Sequence, residues 1–196
     1  MDPALLPALL GFAFAASITP GPNNLMLLAS GANFGLRRSV PHLLGVVFGH
    51  SFMIVVVGLG LVGLFEAFPV LHAALTVASV AYLLWLAWRI ATAVPKEGAS
   101  RARPFTFLQA AAFQWVNPKA WFMAVTAVTV YAGEAGLGGV LAVAAAFAAT
   151  NLPAISAWTV LGQAMRRLLT DPARLRAFNW TMAGLLVLSL WPVLRH

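Results

Sequence analysis

Five long stretches of this chain carry no charged side chain, and that segregation constrains the fold more than any other feature. Residues 3 to 36, 39 to 65, 67 to 88, 135 to 165 and 177 to 194 contain no Asp, Glu, Lys or Arg. About 20 apolar residues, rising about 1.5 Å each, cross a hydrocarbon core of about 30 Å, so each stretch can supply a span. A sixth, residues 104 to 133, has the length but carries Lys119 near its middle. Hydrophobic residues make up 61% of the 196 positions and charged residues 9%, against about 25% charged in an ordinary soluble domain. A soluble chain this short cannot hide so much apolar surface, so the bilayer is the expected solvent.

Six helical spans fit at roughly 4–30, 40–64, 69–92, 105–131, 136–165 and 173–194. Asp2 with Pro3, Ser39 with Pro41, and Asp171 with Pro172 each set a capping side chain beside a proline that suits a first helical turn. Pro95, Gly98 and Pro104 punctuate the middle loop. The first apolar run has no basic region before it, and it is read as a retained helix. The net charge of +7 and the pI near 11.4 do not call for nucleic acid, because the basic residues have a simpler cause. Arg37 and Arg38 lie in the first loop; Arg89, Lys96, Arg101 and Arg103 flank the third; Arg166, Arg167, Arg174 and Arg176 flank the fifth. Short loops rich in Lys and Arg stay in the cytoplasm, which puts both termini outside.

The expected fold is an all-α integral membrane protein with six transmembrane helices in a single domain over residues 1–196. The loop at about 94–104 divides it into two repeats of three spans, about 3–93 and about 105–196. An odd number of spans per repeat inverts the second. The first span is interrupted at Thr19-Pro20-Gly21-Pro22 and the fourth at Asn117-Pro118-Lys119, so spans 1 and 4 are expected to be discontinuous. Inverted repeats with matching broken helices point to a transporter; here the symmetry rests on hydropathy and break position.

Chemistry is expected at those breaks. Proline inside a span frees carbonyls and amides that hydrocarbon cannot satisfy, so a break persists where protein or a water-filled cavity serves them. The amides opening the second half-helix, around Gly21 to Asn23, suit an anionic group such as a carboxylate, with Asn23 and Asn24 adding donors and acceptors. Lys119 at mid-membrane costs about 2.5–3.5 kcal/mol on insertion scales, so it should face the bundle interior and have a partner. Gln114 and Asn117 share a face near it, and Trp115 precedes it by one turn, within reach of a cation–π contact. Pro20 to Asn24 should therefore face Asn117 to Lys119 across a cavity. Thr150 and Asn151, with Pro153, repeat the polar-plus-proline pattern in the fifth span, and Tyr82 lies near the centre of the third; these would complete a pocket. His50 in the second span is a candidate for a coupling proton.

Each has a plainer reading. Proline kinks are tolerated by packing, a lysine can serve only broken-helix carbonyls, and an intramembrane histidine can be a satisfied packing residue. Thr150 can bond back to its own helix and Tyr82 to a single neighbour. No Asp or Glu lies at mid-membrane; Glu66 and Glu134 end spans on the outer side. A substrate ammonium would then need carbonyl and amide oxygens.

The elements Ile18-Thr19-Pro20-Gly21-Pro22-Asn23-Asn24, then Gly31, Gly35, Gly45 and Gly49, and later Asn117-Pro118-Lys119-Ala120 resemble the LysE/RhtB family of amino-acid exporters over essentially the whole length. The resemblance implies a multi-pass bacterial inner-membrane exporter of amino acids or related small metabolites, driven by proton exchange and working as a monomer or homodimer. Members differ in substrate, and the missing mid-membrane acid favours a neutral amino acid. An intramembrane enzyme would need a nucleophile with a base, or metal ligands. The chain has no His-Glu-x-x-His or Gly-x-Ser-x-Gly element, and the adjacent His50 and Ser51 point to different helix faces. An exporter or channel for another solute or ion is the other alternative, though four scattered histidines without cysteine make a poor metal pathway. No cofactor is implied.

Overall fold

A backbone surrounded by lipid must satisfy its own polar groups, and helices do so within one segment. In the computed structural model, which describes residues 3–61, 69–92, 103–133 and 136–191, every regular element is helical. A short 3₁₀ turn, Pro3–Leu5, leads into α1 (Leu6–Ile18); α2 is Pro22–Phe34, and α3 is Leu36–Val56, continued by a π-helical turn, Val57–Leu61. Then come α4 (Pro69–Ala91), α5 (Phe107–Phe113) with a 3₁₀ turn at Gln114–Val116, and α6 (Pro118–Ala127) with a π-helical turn at Val128–Ala132. The long α7 (Gly136–Met165) and α8 (Pro172–Leu188) complete the bundle. Among the described residues, three helical stretches are long and apolar enough to cross a membrane: Leu36–Leu61, Ala73–Ala91 and Gly136–Met165.

Proline sets where several of these helices begin. Pro22, Pro118 and Pro172 each occupy the first helical position, where the missing N–H would have had no partner anyway. Asp171 caps α8 as its spacing suggests, its carboxylate accepting from Ala173 N at 2.7 Å. Ser39 and Pro41 behave differently from expectation, because α3 starts three residues before Ser39 and Pro41 lies inside it; Arg37 and Arg38, expected in the first loop, are in the first turn of the same helix. Gly35, with φ of 79°, ends α2 and lets α3 start at once, and Leu36 N donates to the Gln163 side chain at 2.6 Å. Ser39 instead donates to Gly35 O at 2.9 Å and pairs with the Ser30 hydroxyl at 2.7 Å. Asp2, Glu66, Pro95, Gly98 and Glu134 lie outside the described residues.

The bundle is organised around α7, which packs on α1, α2 and α3, while α3 also packs on α5 and α4 pairs with α8. Small residues make the closest approaches. A Cβ added at Gly31 on α2 would strike the Thr159 carbonyl of α7, and one at Gly162 on α7 would strike the Leu28 carbonyl of α2. Gly45 and Gly49 abut the α5 backbone at Phe107 and Ala111 in the same way. This is the small-residue packing that membrane helices use. Large apolar side chains such as Phe52, Leu59, Val77, Leu108 and Phe122 stand on the outside, as they do where lipid is the solvent.

Candidate functional site

The two interruptions meet. Asn117 caps α6 through its side-chain oxygen, which accepts from Lys119 N at 3.2 Å. The cap fixes the first turn of α6, and Lys119 leaves that turn toward the gap between α1 and α2. Its Nζ donates to Thr19 O at 2.6 Å, Thr19 Oγ1 at 2.9 Å and Pro20 O at 3.3 Å. Two of these acceptors are carbonyls that the break between α1 and α2 deprives of helical partners, and the third is the Thr19 hydroxyl. Gly21 is fully extended, φ −178° and ψ 177°, a conformation open to any residue, so its small size matters for another reason. A Cβ there would lie 2.7 Å from Lys119 Cδ.

A second bridge joins the halves beside the first. Asn23 Nδ2 donates to Gln114 Oε1 at 2.8 Å and Gln114 Nε2 returns a bond to Asn23 Oδ1 at 3.1 Å. Gln114, fully buried, also donates to Ala110 O at 2.9 Å. Asn24 closes the break from below, donating to Ser17 O at 2.8 Å and Thr19 O at 2.7 Å. Thr19 Oγ1 donates to Ala16 O, and Trp158 Nε1 of α7 donates to Ile18 O at 3.0 Å. The polar groups freed at the first break are thus served by side chains from α2, α6 and α7.

Between the breaks lies a cavity of about 10 Å³, lined by Gly21, Asn23, Asn24, Asn117, Lys119 and Asn151 together with Ala16, Ser17 and Met123. That is room for about one water. Thr19 and Pro20 lie exposed at its edge and Pro22 is buried at the head of α2. Asn151 reaches the cavity from α7; its neighbour Thr150 does not line it and bonds back to Ala146 O at 2.8 Å. Tyr82 also stands apart, against Trp85 and Phe113 with ring centroids 5.3 and 5.8 Å away. Trp115 meets Phe52 and Trp121 edge-on, while Lys119 is directed at Thr19 and Pro20. His50 is buried, its Nε2 donating to Ala120 O at 3.3 Å and its ring edge-on to Phe147. It therefore braces the residue next to Lys119.

Two participants escape sequence reading. Trp158 and Ser17 serve the site through a carbonyl contact and a cavity wall, roles that leave no pattern in an apolar run. Gln114 stood out only as a neighbour of Asn117; a buried amide four residues before a proline was the available sign.

The LysE type translocator profile matches residues 14–190, a range that includes both breaks and every residue lining the cavity. Relatives named cysteine/O-acetylserine efflux protein are 33% identical in Escherichia coli and in Shigella flexneri, over 193 residues covering 95% of this chain and 96% of theirs. The Klebsiella pneumoniae protein of the same name is 30% identical over 189 residues, covering 95% of each chain. No solved structure matches significantly. With the match running through both broken helices and nearly end to end, the chain belongs to the LysE type translocator family.

Proposed function

We propose that this membrane transporter exports small neutral amino acids of the cysteine and O-acetylserine class from the bacterial cytoplasm, binding them between the two broken helices. The observation that carries this reading is Lys119 reaching across the gap to Thr19 and Pro20. Three acceptors around one tetrahedral nitrogen are also what an amino acid's ammonium requires. The substrate ammonium displaces the lysine from those oxygens, and the freed amine meets the substrate carboxylate together with the unpaired first amides of α2. Lysine and substrate thus exchange places, and neither leaves polar groups stranded in the membrane. A cavity of about 10 Å³ cannot admit an amino acid, so the breaks must part for transport. A family of translocators whose named relatives are efflux proteins supports a transporter, not an enzyme.

The six-span reading has support in the packing. With α1–α2 as span 1, α3 and α4 as spans 2 and 3, α5–α6 as span 4, and α7 and α8 as spans 5 and 6, inversion exchanges α3 with α7 and α4 with α8. Both of those pairs pack together, and α1 on α7 is mirrored by α5 on α3. The pair α2 on α7 is extensive whereas its mirror, α6 on α3, is slight. A transporter closed more tightly on one side of its midplane has that asymmetry. Both termini lie outside, and proton exchange runs through His50, whose bond to Ala120 O couples it to the turn bearing Lys119.

Efflux from cells loaded with dipeptides tests the reading. Overproduction of the wild-type chain should speed release of at least one free neutral amino acid, and Lys119→Ala should abolish the gain. Equal release of every amino acid with either protein would refute it.

A further inference from the structure

A larger cavity, about 130 Å³, lies at the basic end of the bundle, between the end of α2, the start of α3, the end of α4 and the residues leading into α5. It does not share a lining residue with the cavity at the breaks. Ser30, Asn33, His42, Arg89, Arg103 and Phe105 contribute to its wall. Its volume is roughly that which admits a six-carbon ring.

The wall has the chemistry of an anion site. Two exposed arginines, Arg89 and Arg103, line one small space, and a guanidinium is a planar fork suited to carboxylate. Arg89 is held by stacking on Trp85, its Cζ 5.2 Å from the ring centroid. Among the described residues the one carboxylate side chain is Asp171, and it is engaged in capping α8. His42 is 2% exposed, packs against Phe105 at 5.3 Å, and neither ring nitrogen has a hydrogen-bond partner among the described residues.

We propose that this cavity is a second binding site, for a small organic carboxylate, distinct from the gap between the breaks. It rests on the exporter reading only for its role, which is to hold the amino acid by its carboxylate at the cytoplasmic mouth before it reaches Lys119. Two arginines there raise the local concentration of carboxylates.

Saturation-transfer NMR on the full chain in phosphatidylcholine nanodiscs, with propionate as probe, tests it. Propionate should show transfer and propionamide, alike in shape but uncharged, should not. Arg89→Gln with Arg103→Gln should cut the propionate signal about tenfold, the effect of losing one charge-assisted contact pair, while Lys119→Met should keep it. Equal transfer to propionate and propionamide in the wild-type protein would overturn the proposal without recourse to any variant. Loss of the signal in Lys119→Met would overturn it by assigning the carboxylate to the breaks. Loss in discs containing phosphatidylglycerol would overturn it in favour of a lipid headgroup. The exporter reading fails separately, if Lys119→Met exports amino acids normally.

Discussion

At the scale of single residues, Lys119 and Gly21 act as a pair. The lysine lies across Gly21 to reach Thr19 and Pro20, and a methyl group on Gly21 would sit 2.7 Å from its Cδ. The lysine stem is flexible, so Gly21→Ala should fold and reach the membrane at normal levels but export poorly; wild-type efflux from that variant would show that the lysine's position is immaterial. The Asn23–Gln114 pair makes a different prediction, because each amide satisfies the other. Asn23→Leu alone strands a buried amide and should cost about 1–3 kcal/mol of stability. Adding Gln114→Leu should recover part of that loss in thermal unfolding, since replacing both partners by apolar groups is far less costly than replacing one. Strictly additive losses would show that the two amides are not coupled.

At the scale of elements, the helices and the two breaks were legible in the sequence because proline and charge act locally. Uncharged runs showed where the helical segments lie, though Leu36–Val56 and Pro172–Leu188 begin before their runs and take in arginines, and Pro22, Pro118 and Pro172 marked where helices start. Ser39 misled because its neighbour Gly35 turns the chain first, an effect of positive φ that no side chain announces. Thr150 and Tyr82 looked like Asn151 in hydropathy, and only the rotation of α7 and the tilt of α4 decide which polar group meets the cavity. His42 was invisible because its interest lies in what fails to pair with it. The Gly31–Gly162 contact between α2 and α7 carries the prediction at this scale. Gly31→Ala drives a methyl into the Thr159 backbone, which, unlike a lysine stem, cannot step aside. A loss of about 1–3 kcal/mol, typical of overpacking, should appear in thermal unfolding; unchanged stability would mean that α2 and α7 are looser than this.

At the scale of the whole molecule, topology is open to a clean test because the chain has no cysteine. Single cysteines at Asp2 and His196 should react with an impermeant maleimide in intact cells, and one at Ser100 only after the membrane is opened. Labelling of Ser100→Cys from outside would invert the orientation read from Arg37, Arg38 and the other arginines near the helix ends. The proposed site lies where the two broken helices meet, with Lys119 reaching Thr19 and Pro20 across the gap. The most direct test of that meeting point is transport by the purified chain in liposomes, comparing wild type with Lys119→Met, which keeps the stem and removes the amine. Wild-type vesicles should move L-cysteine across the membrane and the variant should not, although it folds. Equal transport by both would contradict the claim that substrate passes between the breaks by exchanging places with Lys119.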